Sequence, residues 1–221
     1  MIRIRLIGLC LLVVGLTFSA SAQSGLDQTD NQLWSDVQLS IPVTKQIDFT
    51  LSGTLRLGRD ISNPIDERIG AGFSVKVGKH ITVAPGYQHI GMQPFAGRRI
   101  WENRLSLPVQ FRFDAGDFRL TQRNLIERRL RNSGVKSTRY RNRFQIEHPL
   151  GPDGLGLSLY VADEVFYDWA VDRWVRNRFS VGAIKVFNKH ITQDFFYLRQ
   201  NDGVSVPGDL NVIGTTLRVR L

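Results

Sequence analysis

The chain has 221 residues, is 42% hydrophobic and 22% charged, and sets 29 Lys and Arg against 20 Asp and Glu for a formal charge of +9. Its one cysteine, Cys10, excludes a disulfide-held fold. The arginines are scattered in alternate positions rather than gathered in a patch, which speaks against nucleic acid and leaves anionic lipid or an acidic ligand to explain the basic balance.

Arg3 and Arg5 form a short basic head, Leu6 to Phe18 is almost wholly apolar, and Ser19-Ala20-Ser21-Ala22 supplies small residues. This is the three-part layout of a secretory signal. The apolar run is shorter than the roughly 20 residues a membrane-spanning helix needs. Cleavage is expected after Ala22, giving a signal peptide of residues 1–22 and one domain of residues 23–221. The formal charge of that domain falls to +7 once Arg3 and Arg5 are gone. Cys10 follows Leu9, where a lipoprotein site wants a small residue, so it is expected to leave with the signal and the mature domain holds no cysteine.

From about Leu33 to the last residue the pattern has a period of two. Ile47, Phe49, Leu51, Leu55 and Leu57 oppose Asp48, Thr50, Ser52, Thr54 and Arg56. Leu105, Leu107, Val109, Phe111 and Phe113 oppose Arg104, Ser106, Gln110 and Arg112. Such alternation predicts strands with one apolar and one polar face. Candidate strands begin near residues 33, 47, 68, 81, 100, 118, 139, 157, 174, 191 and 211. Because single-chain bacterial barrels use an even number, ten or twelve strands are expected, with Ser24 to Asn31 as a candidate lumen plug. Pro85 and Pro108 fall inside strands and predict local bulges or bends.

Connections alternate in length. Short turns fall at Thr44 to Gln46, Gly78 to His80, Asp114 to Asp117, Gly151 to Gly156 and Asn188 to His190, with longer links between them. Short turns on one side and longer loops on the other are the layout of an outer-membrane barrel. A soluble lipocalin-like barrel would alternate too, with its apolar face inward. Three features favour the inverted arrangement. Trp34, Trp101, Tyr140, Tyr167, Trp169 and Trp174 sit near the longer loops, as an interfacial girdle would. The chain ends on the alternating strand Leu217, Val219, Leu221. The polar face is rich in arginine and carboxylate. The expected fold is therefore an all-β, up-and-down antiparallel transmembrane barrel.

Two local repeats carry candidate chemistry. Turns at Lys45, Lys79 and Lys189 share one design, and His80 and His190 read as turn residues rather than metal ligands. The second repeat, Glu102-Asn103-Arg104, Arg141-Asn142-Arg143 and Arg176-Asn177-Arg178, opens strands after longer loops. Its flanking residues share the polar face with Arg112, Glu147 and Arg218. These charged residues are expected to line the lumen, either as an ion-pair lattice or as an anion-selective constriction. Arg123, Glu127, Glu164 and Asp194 are their candidate partners. No metal or cofactor site is expected. His89, Ser62, Asp60, Asp168 and Asp172 lie on loop-side segments, but no spacing ties them into a catalytic constellation.

Trp34 at the first strand, the Lys45 hairpin, Leu55-Arg56-Leu57 and the Arg-Asn-Arg strand starts resemble a family of bacterial outer-membrane barrels catalogued as a domain of unknown function. The resemblance implies a signal peptide and an outer-membrane barrel, and brings no activity with it. The expected protein is a monomeric, non-enzymatic barrel of a Gram-negative outer membrane, with the bilayer and the barrel-assembly machinery as partners and no nucleic acid. Its role would be a narrow channel or a structural surface protein with an arginine-rich lumen. The alternatives are a lipid- or lipopolysaccharide-modifying enzyme and a soluble periplasmic carrier.

Overall fold

The computed structural model describes residues 29–95, 97–151 and 155–221; the expected signal peptide, its cleavage after Ala22, Cys10 and most of the candidate plug lie outside the described residues. The first six strands are β1 (Thr29–Pro42), β2 (Ile47–Gly58), β3 (Asn63–Val77), β4 (Ile81–Val83), β5 (Gly86–Phe95) and β6 (Arg98–Ala115). The rest are β7 (Phe118–Arg131), β8 (Ser137–Leu150), β9 (Leu157–Asp168), β10 (Arg173–Val186), β11 (Ile191–Asp202) and β12 (Asp209–Arg220).

Apart from β4 and β5, which do not pair with each other, chain neighbours pair antiparallel, as hairpins require, and the sheet closes on itself through β1 and β12. β4 and β5 both lie between β3 and β6, so they are two halves of one place in the wall. The twelve strands thus fill eleven places. The wall is therefore odd where an even number was expected, the twelfth strand being half of a shared place, and the eleven candidate starts correspond to the places. An odd up-and-down ring must contain one pair running the same way. That seam is β1 with β12, parallel from Thr29 opposite Asp209 to Ser40 opposite Arg220.

The break between β4 and β5 falls at Ala84-Pro85, opposite Pro108 of β6. Ala84 N donates to Pro108 O and Phe73 N to Pro85 O, each at 3.0 Å. The two prolines interrupt the ladder at one spot, and the register is the same on either side of it. The β2–β3 loop turns on three left-handed residues, Arg59, Asp60 and Ile61, with φ of 53°, 54° and 64°. Such backbone needs outside support. The Asp30 carboxylate supplies it, accepting Arg59 N at 3.1 Å and Asp60 N at 2.8 Å.

The faces are inverted relative to a soluble barrel. Ile69, Ile213 and Leu105 are 70%, 62% and 53% exposed, whereas Glu102 is fully buried. Leu107 also stands outward. A soluble carrier would need these leucines inside, so the lipocalin-like alternative fails on orientation. The outer wall is an apolar belt and the bore holds the charges, an arrangement whose lowest-energy surroundings are hydrocarbon outside.

Candidate functional site

Alternation sends the residues on either side of each Asn in the Arg-Asn-Arg repeat into the bore and the Asn itself outward. The inward charges pair across strands because neighbouring strands lie about 4.8 Å apart, within reach of arginine on one strand and a carboxylate on the next. Glu102 is the hub on β6. It accepts from Arg104 Nε at 2.7 Å, Arg129 Nε at 3.1 Å and Arg131 Nε at 2.9 Å. Arg104 Nη1 also reaches Glu127 at 3.5 Å, Glu127 takes Arg141 Nη1 at 2.9 Å, and Arg141 Nη2 holds Glu164 at 2.9 Å. Glu164 completes the run by accepting Arg123 Nη2 at 2.7 Å. One ionic ladder therefore crosses four strands, β6 to β9, with Arg139 and Asp168 beside it at 3.1 Å.

The other side of the bore is built differently. Arg68 and Arg56 pair with Asp66, and Arg176 pairs with Asp202. Arg178 donates to Gln200 at 2.8 Å and has no carboxylate in salt-bridge reach among the described residues. Instead it lies between two buried rings, 4.9 Å from Phe166 and 4.9 Å from Trp34. Arg141 covers Phe166 at 4.6 Å and Arg56 covers Trp34 at 3.7 Å. Guanidinium and ring thus alternate as Arg141, Phe166, Arg178, Trp34 and Arg56. Desolvated cation–ring contacts of this kind contribute about 2 kcal/mol each. Trp34, Leu198, Leu210 and Val212 form an apolar cluster against the same wall.

Trp34 departs from expectation. It is buried inside the bore and its Nε1 donates to Gln32 at 2.8 Å, because it shares the inward parity of Gln32 and Asp36 on β1. The other five aromatics stay near the loops. Tyr167, Trp174 and Tyr140 pack edge to face at 5.4 and 6.4 Å, and Tyr167 packs against Trp169 at 5.6 Å.

The nine charged residues singled out from sequence divide by depth. Glu102, Arg104, Arg141, Arg176 and Arg178 join the loop-side lattice. Arg143, Glu147, Arg218 and Arg112 stand toward the short turns. There Arg119 meets Glu147 at 3.2 Å, Arg218 meets Asp194 at 3.2 Å, and Arg220 meets Asp48 at 2.5 Å. Arg143 lies 5.7 Å from the Tyr160 ring, with no carboxylate in salt-bridge reach among the described residues. Arg112 is exposed at the turn end of β6. Ser52, Gly70, Gly72, Ser74, Gly86 and Ser106 are small inward residues of β2, β3, β5 and β6. Sequence reading missed Arg56, Arg68, Arg129, Arg139 and Phe166. Their inward parity was legible, but their pairing was not: Asp66 lies opposite Arg56 and two residues from Arg68, Asp168 lies opposite Arg139, and Glu102 meets Arg129 from the next strand, partners that register decides.

Counting the paired and ring-stacked groups of the lattice, ten guanidiniums (Arg131 included) face six carboxylates. Among the described residues, Arg56 Nε, Arg123 Nε and Arg129 Nη1 are buried without a hydrogen-bond partner, although Arg129 Nη1 stands 3.8 Å from Asp168. The arrangement can therefore hold or pass an anion. The rim side chains are dispersed: His89 bonds Asn103 on the outer wall, Ser62 bonds Arg59 O, Asp60 bonds Asn31, and Asp172 bonds Tyr167. Among the described residues no hydroxyl nucleophile meets His89, and no group of three or more metal-capable side chains gathers.

Residues 31–211 match the family model described as "Protein of unknown function (DUF2490)". No curated protein matches the chain. Among solved structures it is similar to the anion-selective porin from Comamonas acidovorans, at 11% identity and a TM-score of 0.40, covering 74% of this chain and 47% of that one. The chain thus spans about half the length of that porin. It is also similar to the NanC porin, at 12% identity and a TM-score of 0.46, covering 83% of this chain and 93% of that one.

Proposed function

Because the chain belongs to the DUF2490 family, whose description assigns no activity, we propose a function from its own interior: a barrel of the bacterial outer membrane that forms a narrow, anion-preferring passage. The membrane placement rests on the outward apolar belt around a charged bore, which water would penalise and a bilayer rewards. The passage rests on one observation, the excess of guanidinium over carboxylate in the bore. An anion entering from the turn side meets Arg143 and Arg218, then the Nε–H groups of Arg123 and Arg56, which make no hydrogen bond to the described residues. Narrowness follows from the side chains: eleven places in the wall leave little room beyond what arginines and rings fill.

Planar-bilayer recording of the refolded protein tests this. Small conductance with a reversal potential favouring anions is expected, and cation selectivity would overturn it. The second reading, a sealed structural barrel of the cell surface, is favoured by the complete burial of Glu102 and the near-complete burial of Phe166 and Gln200. Absence of conductance from protein that has demonstrably inserted would select that reading.

A further inference from the structure

The outward wall is not apolar all the way round. On β2 every outward residue is apolar or glycine, from Ile47 to Leu57. On β7 to β10, outward positions instead carry Gln122, Asn124, Tyr140, Asn142, Asp163 and Asn177. Asp163 is the sharpest case. It stands mid-strand on β9, in register with Phe144 of β8 and Phe179 of β10. It lies four residues below Tyr167, which belongs to the loop-side aromatic cluster. Its one hydrogen bond comes from Asn177 Nδ2 at 2.9 Å, and no cation in the described residues pairs with it.

Facing acyl chains, such a carboxylate and its amides would be costly. The bore behind this strand holds arginines from its neighbours, Arg123 of β7, Arg141 of β8 and Arg178 of β10, yet the sequence places this acid outside. Phe144, Phe179, Ile126 and Val161 are exposed around the patch, giving a polar centre with an apolar rim.

We propose that this patch is the interface of a homodimer, a deduction that rests on the membrane-spanning reading. The unsatisfied valences of the patch complement one another. Asn124 Oδ1 already accepts from Tyr140 at 2.6 Å and from Asn142 at 2.8 Å, which leaves the Asn124 amide donor unused. The second Asp163 oxygen is an unused acceptor, and Gln122 makes no side-chain bond to the described residues. Two copies inserted in the same sense must be related by a two-fold axis along the membrane normal. An axis beside β8 exchanges β7 and β9. Gln122, Phe144 and Asp163 lie in one hydrogen-bonded row, and such rows climb toward the loops along this wall: the neighbouring row is seven residues below the loop end at Asn124 and four below at Asn177. Asn124, one outward position above Gln122, therefore comes level with Asp163. Across the axis each Asp163 receives the Asn124 and Gln122 amides of the other copy.

Phe144→Cys places a thiol beside the axis, and Leu51→Cys on the apolar wall is the control. Both are made in the full chain, which has no other cysteine beyond Cys10, and are oxidised in outer-membrane vesicles. The expected result is a disulfide dimer for F144C and none for L51C. Asp163→Leu is the second variant, read by mass in detergent. Loss of the dimer with retained heat-modifiable gel migration is expected. A monomeric wild type that shifts on heating, with F144C and L51C cross-linking alike, would overturn the proposal while leaving the barrel intact. A protein that neither fractionates with membranes nor shifts on heating would instead remove the reading beneath it.

Discussion

Inside the barrel the Arg178 guanidinium lies 4.9 Å from the centre of the Phe166 ring, a cation held by a ring and the Gln200 amide rather than by a carboxylate. Four arginines approach that ring, Arg139, Arg141, Arg176 and Arg178, at 4.6 to 5.8 Å. Phe166 therefore stands inside the bore and spaces like charges.

Phe166→Ala should both weaken and open the barrel. Removing a fully buried Phe costs about 3–5 kcal/mol. The urea midpoint in vesicles should fall, and single-channel conductance should rise. An unchanged conductance would show that Phe166 does not limit the bore.

Glu102→Gln should leave Arg104, Arg129 and Arg131 without their shared carboxylate. Stranding buried charge costs about 3–5 kcal/mol. Adding Arg129→Gln should recover part of that loss, so the double-mutant cycle should show coupling of about 0.5–3 kcal/mol. Additive losses would mean that the hub is not one unit.

Arg143→Glu reverses a cation that makes no ion pair with the described residues, so the fold should persist. The reversal potential under a salt gradient should move toward cations. If conductance is present and selectivity does not move, the passage avoids the turn-side half of the bore around Arg143.

Leu107→Arg puts a charge on the apolar belt near mid-strand, where Leu107 is 47% exposed. Insertion should weaken by roughly 2–4 kcal/mol. Val135→Arg in the β7–β8 loop should not affect insertion. Folding efficiency into vesicles of defined thickness, followed by the heat shift, separates the two.

How much of this was open to sequence reading follows from what period-two alternation carries. It is a local property, so the strands, the turn positions, and the shared face of Glu102, Arg104, Arg141, Arg143, Arg176 and Arg178 could all be read from the chain. Parity also implied that Trp34 joins Gln32 and Asp36 on the inward face, but its place near a long loop argued for the girdle instead.

What the chain alone determined is therefore an all-β wall with one apolar and one charged face, because side-chain direction in a strand is set by neighbouring residues. Only the tertiary structure decided that β4 and β5 share one place, that eleven places force β1 to run parallel with β12, and that Phe166 and Trp34 interleave the arginines. It also placed the Asn124–Asp163 patch on a single outer wall. Each of these depends on which strands become neighbours when the sheet closes, and closure is fixed by register and curvature summed around the whole ring.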